Sequence, residues 1–196
     1  MKIEMEIWER EEGVKFLKKI GMEKGQTVFD FGARVGHYTF PAAITVGEEG
    51  LVYAVDKEKK ALDELYQKAS SFGLKNIRIV HNSGETKIGL EDQSIDFVLL
   101  YDVLHYFKKE QRTKLYGEVF RILKTNGLLS VYPKHVLEDC PSDEFGQLHW
   151  KDVKREILDS AFVFREKQCG MISHDDSLNQ GCILNFNKNR FGLKNK

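Results

Sequence analysis

Val28-Phe29-Asp30-Phe31-Gly32-Ala33-Arg34-Val35-Gly36-His37-Tyr38-Thr39 decides how the rest of the chain is read. Apolar, β-favouring residues run into Asp30, and Gly32 and Gly36 follow, four positions apart. That pattern predicts a buried strand entering a tight turn ahead of a helix. Glycines in such a turn let backbone N–H groups approach a ligand that a Cβ would hold off. One strand–helix–strand unit further on stands Leu51-Val52-Tyr53-Ala54-Val55-Asp56. Nucleotide-binding α/β folds place a carboxylate on ribose hydroxyls about 20 residues past the glycine turn, and Asp56 falls there. Together the two elements point to an adenosine-containing cofactor. The plainer alternatives are an ordinary strand-to-helix turn at Gly32 and Gly36, and a helix N-cap at Asp56. Cap and ribose ligand are compatible in one carboxylate.

Outward from this stretch, strands alternate with helices. Val14, Phe16, Leu17 and Ile20 recur at helical spacing, which predicts an amphipathic helix from about Glu9 to Ile20. Gly21 and Gly25 bracket the link to the first strand, and Pro41 lies early in the next helix, where its missing N–H costs little. Residues Lys57 to Phe72 carry an apolar stripe (Ala61, Leu62, Leu65, Ala69) and stop at Gly73. Ile77 to Val80 is a short strand, and Ile95 to Leu100 is nearly all apolar, as a central parallel strand should be. A helix follows from Gln111 to Leu123, then a turn at Asn126-Gly127 and a strand from Leu128 to Tyr132. Trp150 to Ala161 is the last helix, ahead of strand-like Phe162-Val163-Phe164. Polar Ser173 to Gln180 then leads to Cys182-Ile183-Leu184-Asn185-Phe186 with no intervening helix, so those two strands are antiparallel neighbours. The order implies an α/β three-layer sandwich around a mostly parallel seven-stranded sheet whose last strand is antiparallel. Residues 1–186 read as one domain, and 187–196 as a polar, basic, flexible tail.

Bulk properties narrow the function classes. Thirty basic and thirty acidic residues cancel, so no general electrostatic drive toward nucleic acid or anionic membrane exists. Three cysteines, Cys140, Cys169 and Cys182, form neither a CxxC pair nor a zinc spacing, and are expected as reduced thiols in a cytoplasmic protein. No signal peptide is visible, and no apolar run approaches the roughly 20 residues that span a bilayer. His135, Asp139, Cys140 and His149 match no metal-ligand spacing, so no metal is expected.

The chain resembles the class I S-adenosylmethionine-dependent methyltransferases, in the branch typified by ubiquinone- and menaquinone-biosynthesis enzymes. Gly25 to Gly32 is similar to that branch's glycine-loop approach. Ser94-Ile95-Asp96-Phe97-Val98-Leu99-Leu100-Tyr101-Asp102-Val103-Leu104-His105 looks like its fourth-strand motif, and Arg121-Ile122-Leu123-Lys124-Thr125-Asn126-Gly127 like its R-x-L-K-P-G-G turn with two changes. The resemblance implies methyl transfer from S-adenosylmethionine to a small-molecule acceptor. It also implies that Asp30, Phe31, Gly32, Ala33, Arg34 and Gly36 hold the methionine end of the cofactor. Asp56 then takes the ribose hydroxyls, Lys57 flanks the adenine, Asn82 and Ser83 reach it, and Tyr101 lines the methionine side. Trp8, Asp102 and His105 become candidates for the substrate pocket. Each has a plainer reading: a hydrophobic staple for Trp8, a helix cap for Asp102, a backbone-bonded histidine for His105.

Arg34 is the departure, because the family normally carries glycine there. A non-glycine residue at positive φ costs roughly 1–2 kcal/mol, and its side chain could crowd the cofactor or pair with the cofactor's carboxylate. Two alternatives follow from the sequence. One is a degenerate cofactor-binding protein with a regulatory or scaffolding role. The other is a nicotinamide-dependent oxidoreductase, disfavoured because Gly32-Ala33-Arg34-Val35-Gly36 is not GxGxxG.

Overall fold

In the computed structural model, which describes residues 2–139 and 147–189, the glycine-turn stretch begins with strand β1, Thr27–Phe31, buried from Val28 onward. The other strands are β2 (Leu51–Asp56), β3 (Ile77–His81), β4 (Ile95–Tyr101), β5 (Leu123–Tyr132), β6 (Phe162–His174) and β7 (Ser177–Lys188). They form one mixed sheet in the order β3-β2-β1-β4-β5-β7-β6, flanked by helices. The chain divides into two compact units.

The first unit comprises residues up to Gly84 together with Gly170–Gly181. In it β1, β2 and β3 are parallel and in step, with Val28 beside Val52 and Val52 beside Ile77. The N-terminal helix begins well before the expected Glu9. It runs as α1 (Lys2–Ile7), a π turn (Trp8–Glu12) and α2 (Gly13–Lys19). Its stripe is hard to see in sequence because Glu9 and Gly13 occupy buried positions that a simple amphipathic helix would fill with apolar side chains. Gly13 is needed there: a Cβ would stand 2.7 Å from the Trp8 carbonyl and 3.0 Å from the Pro41 ring. Helices α3 (Thr39–Val46) and α4 (Lys59–Ser71) follow β1 and β2. Phe40, Leu65 and Ala69 from those helices close on Ala33 and Ala54 to form a buried cluster.

The second unit comprises Glu85–Cys169 and the residues from Cys182 onward. β4 and β5 are parallel, and β7 is antiparallel to β5, with Leu129 opposite Phe186. Helices α5 (Lys109–Ile122) and α6 (Trp150–Asp159) are tied by a bidentate Arg112–Glu156 pair at 2.8 and 2.7 Å. The turn expected at Asn126-Gly127 is instead a bulge inside β5. Ile95 pairs with Leu123 but Phe97 with Leu128, so the extra residues fold out of the ladder. A Cβ on Gly127 would meet the Lys124 and Asp96 carbonyls at 3.0 and 3.1 Å.

Two further expectations need correction. Ser173 to Gln180 is not a loop: β6 and β7 continue through it and turn at Asp175-Asp176. Cys169 and Cys182 are not free thiols but a disulfide. Motif spacing cannot reveal that pair, because the hairpin register that joins residues thirteen apart is a property of the fold. Of the expected tail, Asn187 and Lys188 belong to β7, and residues 190–196 lie outside the described residues, as does Cys140. Among the described residues, no helix is long and apolar enough to cross a membrane.

Candidate functional site

The glycine turn is built by left-handed backbone. Gly32, Arg34 and Gly36 have φ of 86°, 50° and 97°. Gly36 is demanded by packing as well, since a Cβ would lie 2.8 Å from the Phe40 ring and 3.1 Å from Leu65. The turn's amides are largely committed to the protein itself. Gly32 and Ala33 N–H both donate to the Val55 carbonyl (2.8 and 3.0 Å), and Gly36 N–H donates to the Ala33 carbonyl (2.9 Å). Arg34 N–H donates to Asp56 Oδ2 at 2.8 Å. Its guanidinium reaches in another direction, to Asp175 Oδ1 at 2.7 Å, between side chains that are both more than half exposed.

Asp56 is therefore held from two sides: Oδ2 takes Arg34 N–H, and Oδ1 takes Glu58 N–H at 2.8 Å. It is not the helix cap; α4 starts at Lys59 with Glu58 at the capping position, two residues later than expected. A carboxylate has about four acceptor positions, so Asp56 keeps about two beyond these bonds. Lys57 is exposed on the way into α4. Asn82 stands just past β3; its N–H donates to the Asp56 carbonyl (2.9 Å) and its Oδ1 accepts from Gly84 N–H (2.7 Å). Ser83 is exposed beside it.

Asp30 and Phe31 end β1 inside the protein, at 3% and 5% exposure. Thr39 Oγ1 donates to Asp30 Oδ2 at 2.6 Å. Burial pushes the Asp30 carboxyl up to about 7, against the Thr39 hydrogen bond and with the help of the Asp56 charge.

Trp8, expected over a substrate pocket, is a packing residue. It is 2% exposed, its indole N–H donates to the His37 carbonyl at 2.9 Å, and its ring meets Phe16 and Tyr38. Beside it lies a network that the sequence does not signal. Glu9 is fully buried; its Oε1 accepts from Lys68 Nζ (2.6 Å) and lies 2.7 Å from His37 Nδ1. His37 Nε2 lies 3.1 Å from Asp176 Oδ1, and Tyr38 OH donates to the Ser173 carbonyl at 2.8 Å. Glu9 sits in a run of charges that reads as a solvated face, so only the fold exposes its role.

In the second unit, Tyr101 ends β4 with its hydroxyl 2.7 Å from Ser130 Oγ. Asp102 follows at φ 52° and is not a helix cap; the short 3-10 turn Leu104–Tyr106 is capped by Val103, and α5 by Lys108. Asp102 Oδ1 is instead shared between two histidines, 3.5 Å from His105 Nδ1 and 3.4 Å from His135 Nε2. The two imidazole rings lie 4.4 Å apart, edge to face. His135, at φ 63°, is weighed in the sequence only as a metal ligand; its place beside Asp102 has no sequence signal. Asp139 pairs with Lys134, and His149 with Glu138.

A sequence profile of the family described as "methyltransferase domain" matches residues 28–127. A probable cobalt-precorrin-6B C(15)-methyltransferase (decarboxylating) from Saccharolobus solfataricus is 32% identical over 85 residues, 43% of either protein. A demethylmenaquinone methyltransferase from Geobacillus stearothermophilus is 27% identical over 84 residues, 43% of this chain and 36% of that enzyme. The matched stretch thus spans less than half the length of these relatives. Among solved structures, a SAM-dependent methyltransferase from Aquifex aeolicus superposes with a TM-score of 0.73 over 92% of this chain and 91% of that one, at 23% identity. The [4+2]-cyclase SpnF superposes with a TM-score of 0.70 at 11% identity, over 90% of this chain and 81% of that one. The fold is therefore the same while the chemistry on it varies.

Proposed function

The chain belongs to the methyltransferase-domain family, and on that premise we propose that it binds S-adenosylmethionine and methylates a small-molecule acceptor. The observation that carries this reading is Asp56. It is fixed by two backbone N–H groups and keeps about two acceptor positions, which suits the paired O–H donors of a ribose diol. The donor set fits the rest of the cofactor as well. S-adenosylmethionine carries an ammonium and a sulfonium, and the acids at the ends of β1 and β2, Asp30 and Asp56, are the counter-charges beside the turn. A cation close to Asp30 would favour its ionised form. Arg34 is compatible with binding, because its guanidinium is engaged by Asp175.

When bound, the cofactor supplies an electrophilic methyl group. The chain's own residues then bind, orient and handle protons. Asp56 holds the ribose, with Lys57, Asn82 and Ser83 at the adenine side. The Phe31–Gly36 turn, clamped to β2, holds the methionine end without having to reorganise. Tyr101, at the end of β4, is the second unit's candidate for the methionine side. In that unit, Asp102 Oδ1 stands between His105 Nδ1 and His135 Nε2, and this acid–histidine cluster is the second unit's candidate for taking up a proton. Two non-glycine residues at positive φ, Asp102 and His135, meet in this cluster, as strained residues do at working sites. An acidic phenol, enol or thiol acceptor suits a histidine base.

Titration calorimetry with S-adenosylhomocysteine tests the reading. Binding is expected, and Asp56→Ala should weaken it about 10- to 150-fold, the equivalent of a charge-assisted bond of about 1.5–3 kcal/mol. A response to NAD with none to either S-adenosyl ligand would overturn the assignment. A response to the ligands that Asp56→Ala leaves unchanged would remove Asp56 from the site.

A further inference from the structure

We propose that the Cys169–Cys182 disulfide is a redox latch on the cofactor turn, so that reducing it frees the β6–β7 tip and weakens binding of the S-adenosyl ligand. The proposal rests on the cofactor reading above and adds its regulation.

The bond joins the two strands immediately outside Gly170–Gly181, the segment that groups with the first unit. That tip lands on one short stretch of chain. Asp175 takes the Arg34 guanidinium, Asp176 faces His37 Nε2, and the Ser173 carbonyl accepts from Tyr38 OH. Arg34, His37 and Tyr38 are the second half of the glycine turn and the approach to α3. The tip therefore adds a second hold on the turn, beside its clamp to β2.

Its own hold is conditional. The Arg34–Asp175 pair is exposed on both sides, and such pairs contribute little once their partners can move apart. Ile172 and Ser173 are buried, but the hairpin must be formed before they can dock. Gly170 adjoins Cys169, and a Cβ there would meet nothing within 4 Å, so packing does not require glycine at that position. What glycine does supply is backbone freedom at the base of the tip. The disulfide removes that freedom by fixing the strands beside it, which pre-organises the tip for docking. Cys169 is exposed and Cys182 partly so, which gives a thiolate access.

The chemistry is ordinary thiol–disulfide exchange. A dithiol reductant gives two electrons and two protons, the Cys169–Cys182 bond breaks to two thiols, and the reductant closes to its own disulfide. No other reactant is needed.

The experiment uses the full chain in three forms: oxidised, reduced with dithiothreitol, and Cys182→Ser. Two quantities are read, S-adenosylhomocysteine affinity by calorimetry and amide hydrogen exchange of residues 34–38 and 170–181. In the reduced and Cys182→Ser forms we expect affinity at least tenfold lower and faster exchange in both segments, with reoxidation of the reduced protein restoring the starting values. Equal affinity and equal exchange in oxidised and reduced protein would overturn the latch while leaving the cofactor reading intact. If the oxidised protein binds no S-adenosylhomocysteine, that reading fails instead. Exchange then still decides the latch: unchanged rates at 34–38 refute it, and faster rates on reduction support its mechanical half.

Discussion

Asp30→Asn should change the pH dependence of stability in a way that isolates one buried carboxyl. In the native protein, burial holds the Asp30 carboxyl at about 7, whereas in the unfolded chain it returns to 3.8. The native state thus keeps a proton that the unfolded state has lost. Between those two values the unfolded state binds fewer protons, so stability falls as pH rises. The contribution is fully present below the unfolded value and gone once pH passes the native one. The full shift of about three pH units corresponds to about 4 kcal/mol at 1.36 kcal/mol per unit. Of this, about 2.5 kcal/mol is lost between pH 5 and pH 8. The amide introduced by Asp30→Asn would mimic the protonated acid: its carbonyl can accept from Thr39 Oγ1, and it does not ionise. The stability of the Asp30→Asn variant relative to wild type should therefore improve by about 2.5 kcal/mol on going from pH 5 to pH 8, whatever the constant offset. With a urea m-value of about 2 kcal/mol/M, that is a relative midpoint shift of about 1 M. Urea titrations of both proteins at the two pH values measure it, and titrating groups not coupled to Asp30 cancel in the difference. Parallel behaviour of the two proteins across pH 5–8 would refute the reasoning and place the Asp30 pKa near its unfolded value.

Gly36→Ala should destabilise the fold by about 3 kcal/mol, because it combines a clash against the Phe40 ring with an L-residue at φ 97°. For a chain of this size that is a loss of about 6–12 °C in Tm, read by calorimetry; a loss under about 2 °C would show that α3 can shift aside. Arg34→Gly should leave S-adenosylhomocysteine affinity unchanged or lower it, since it loosens the turn and breaks the contact with Asp175. A tenfold gain, about 1.4 kcal/mol, would instead mean that Arg34 obstructs the site and would favour the non-catalytic reading.

The fold was legible wherever local pattern and tertiary environment agree. Ile95 to Leu100 is apolar except for Asp96 because the strand is buried on both faces, and the Leu62, Leu65 and Ala69 stripe follows helical spacing because one side of α4 faces the core. Illegible elements are those where a fold-level constraint overrides composition. Glu9 and Gly13 break the N-terminal stripe for opposite reasons, one to satisfy Lys68 and His37 inside the protein, the other to let Pro41 approach. Polar Ser173 to Gln180 forms strand and turn because its side chains and carbonyls are spent on the glycine turn, which lies more than a hundred residues earlier. His135 joins Asp102 through the parallel register of β4 and β5, a relation that no motif spacing encodes.

The folded chain also changes what the glycine turn is for. From sequence, its glycines suggest a cradle of free amides. In the structure, the amides of Gly32, Ala33, Arg34 and Gly36 are all occupied within the protein, and two of them converge on the Val55 carbonyl. Gly36 is there to admit Phe40 and Leu65, and Gly32 to allow the left-handed step. The turn thus works as a clamp between β1 and β2, and its main product is the placement of Asp56, which it fixes through Arg34 N–H. That explains why a bulky residue is tolerated at position 34: the backbone N–H is the functional group there, and the side chain serves the β6–β7 tip. On the cofactor reading proposed above, it leaves the ribose to Asp56 rather than to the amides of the glycines. Calorimetry on the two variants side by side should therefore find a larger binding defect in Asp56→Ala than in Arg34→Gly, and the reverse ordering would return that role to the turn.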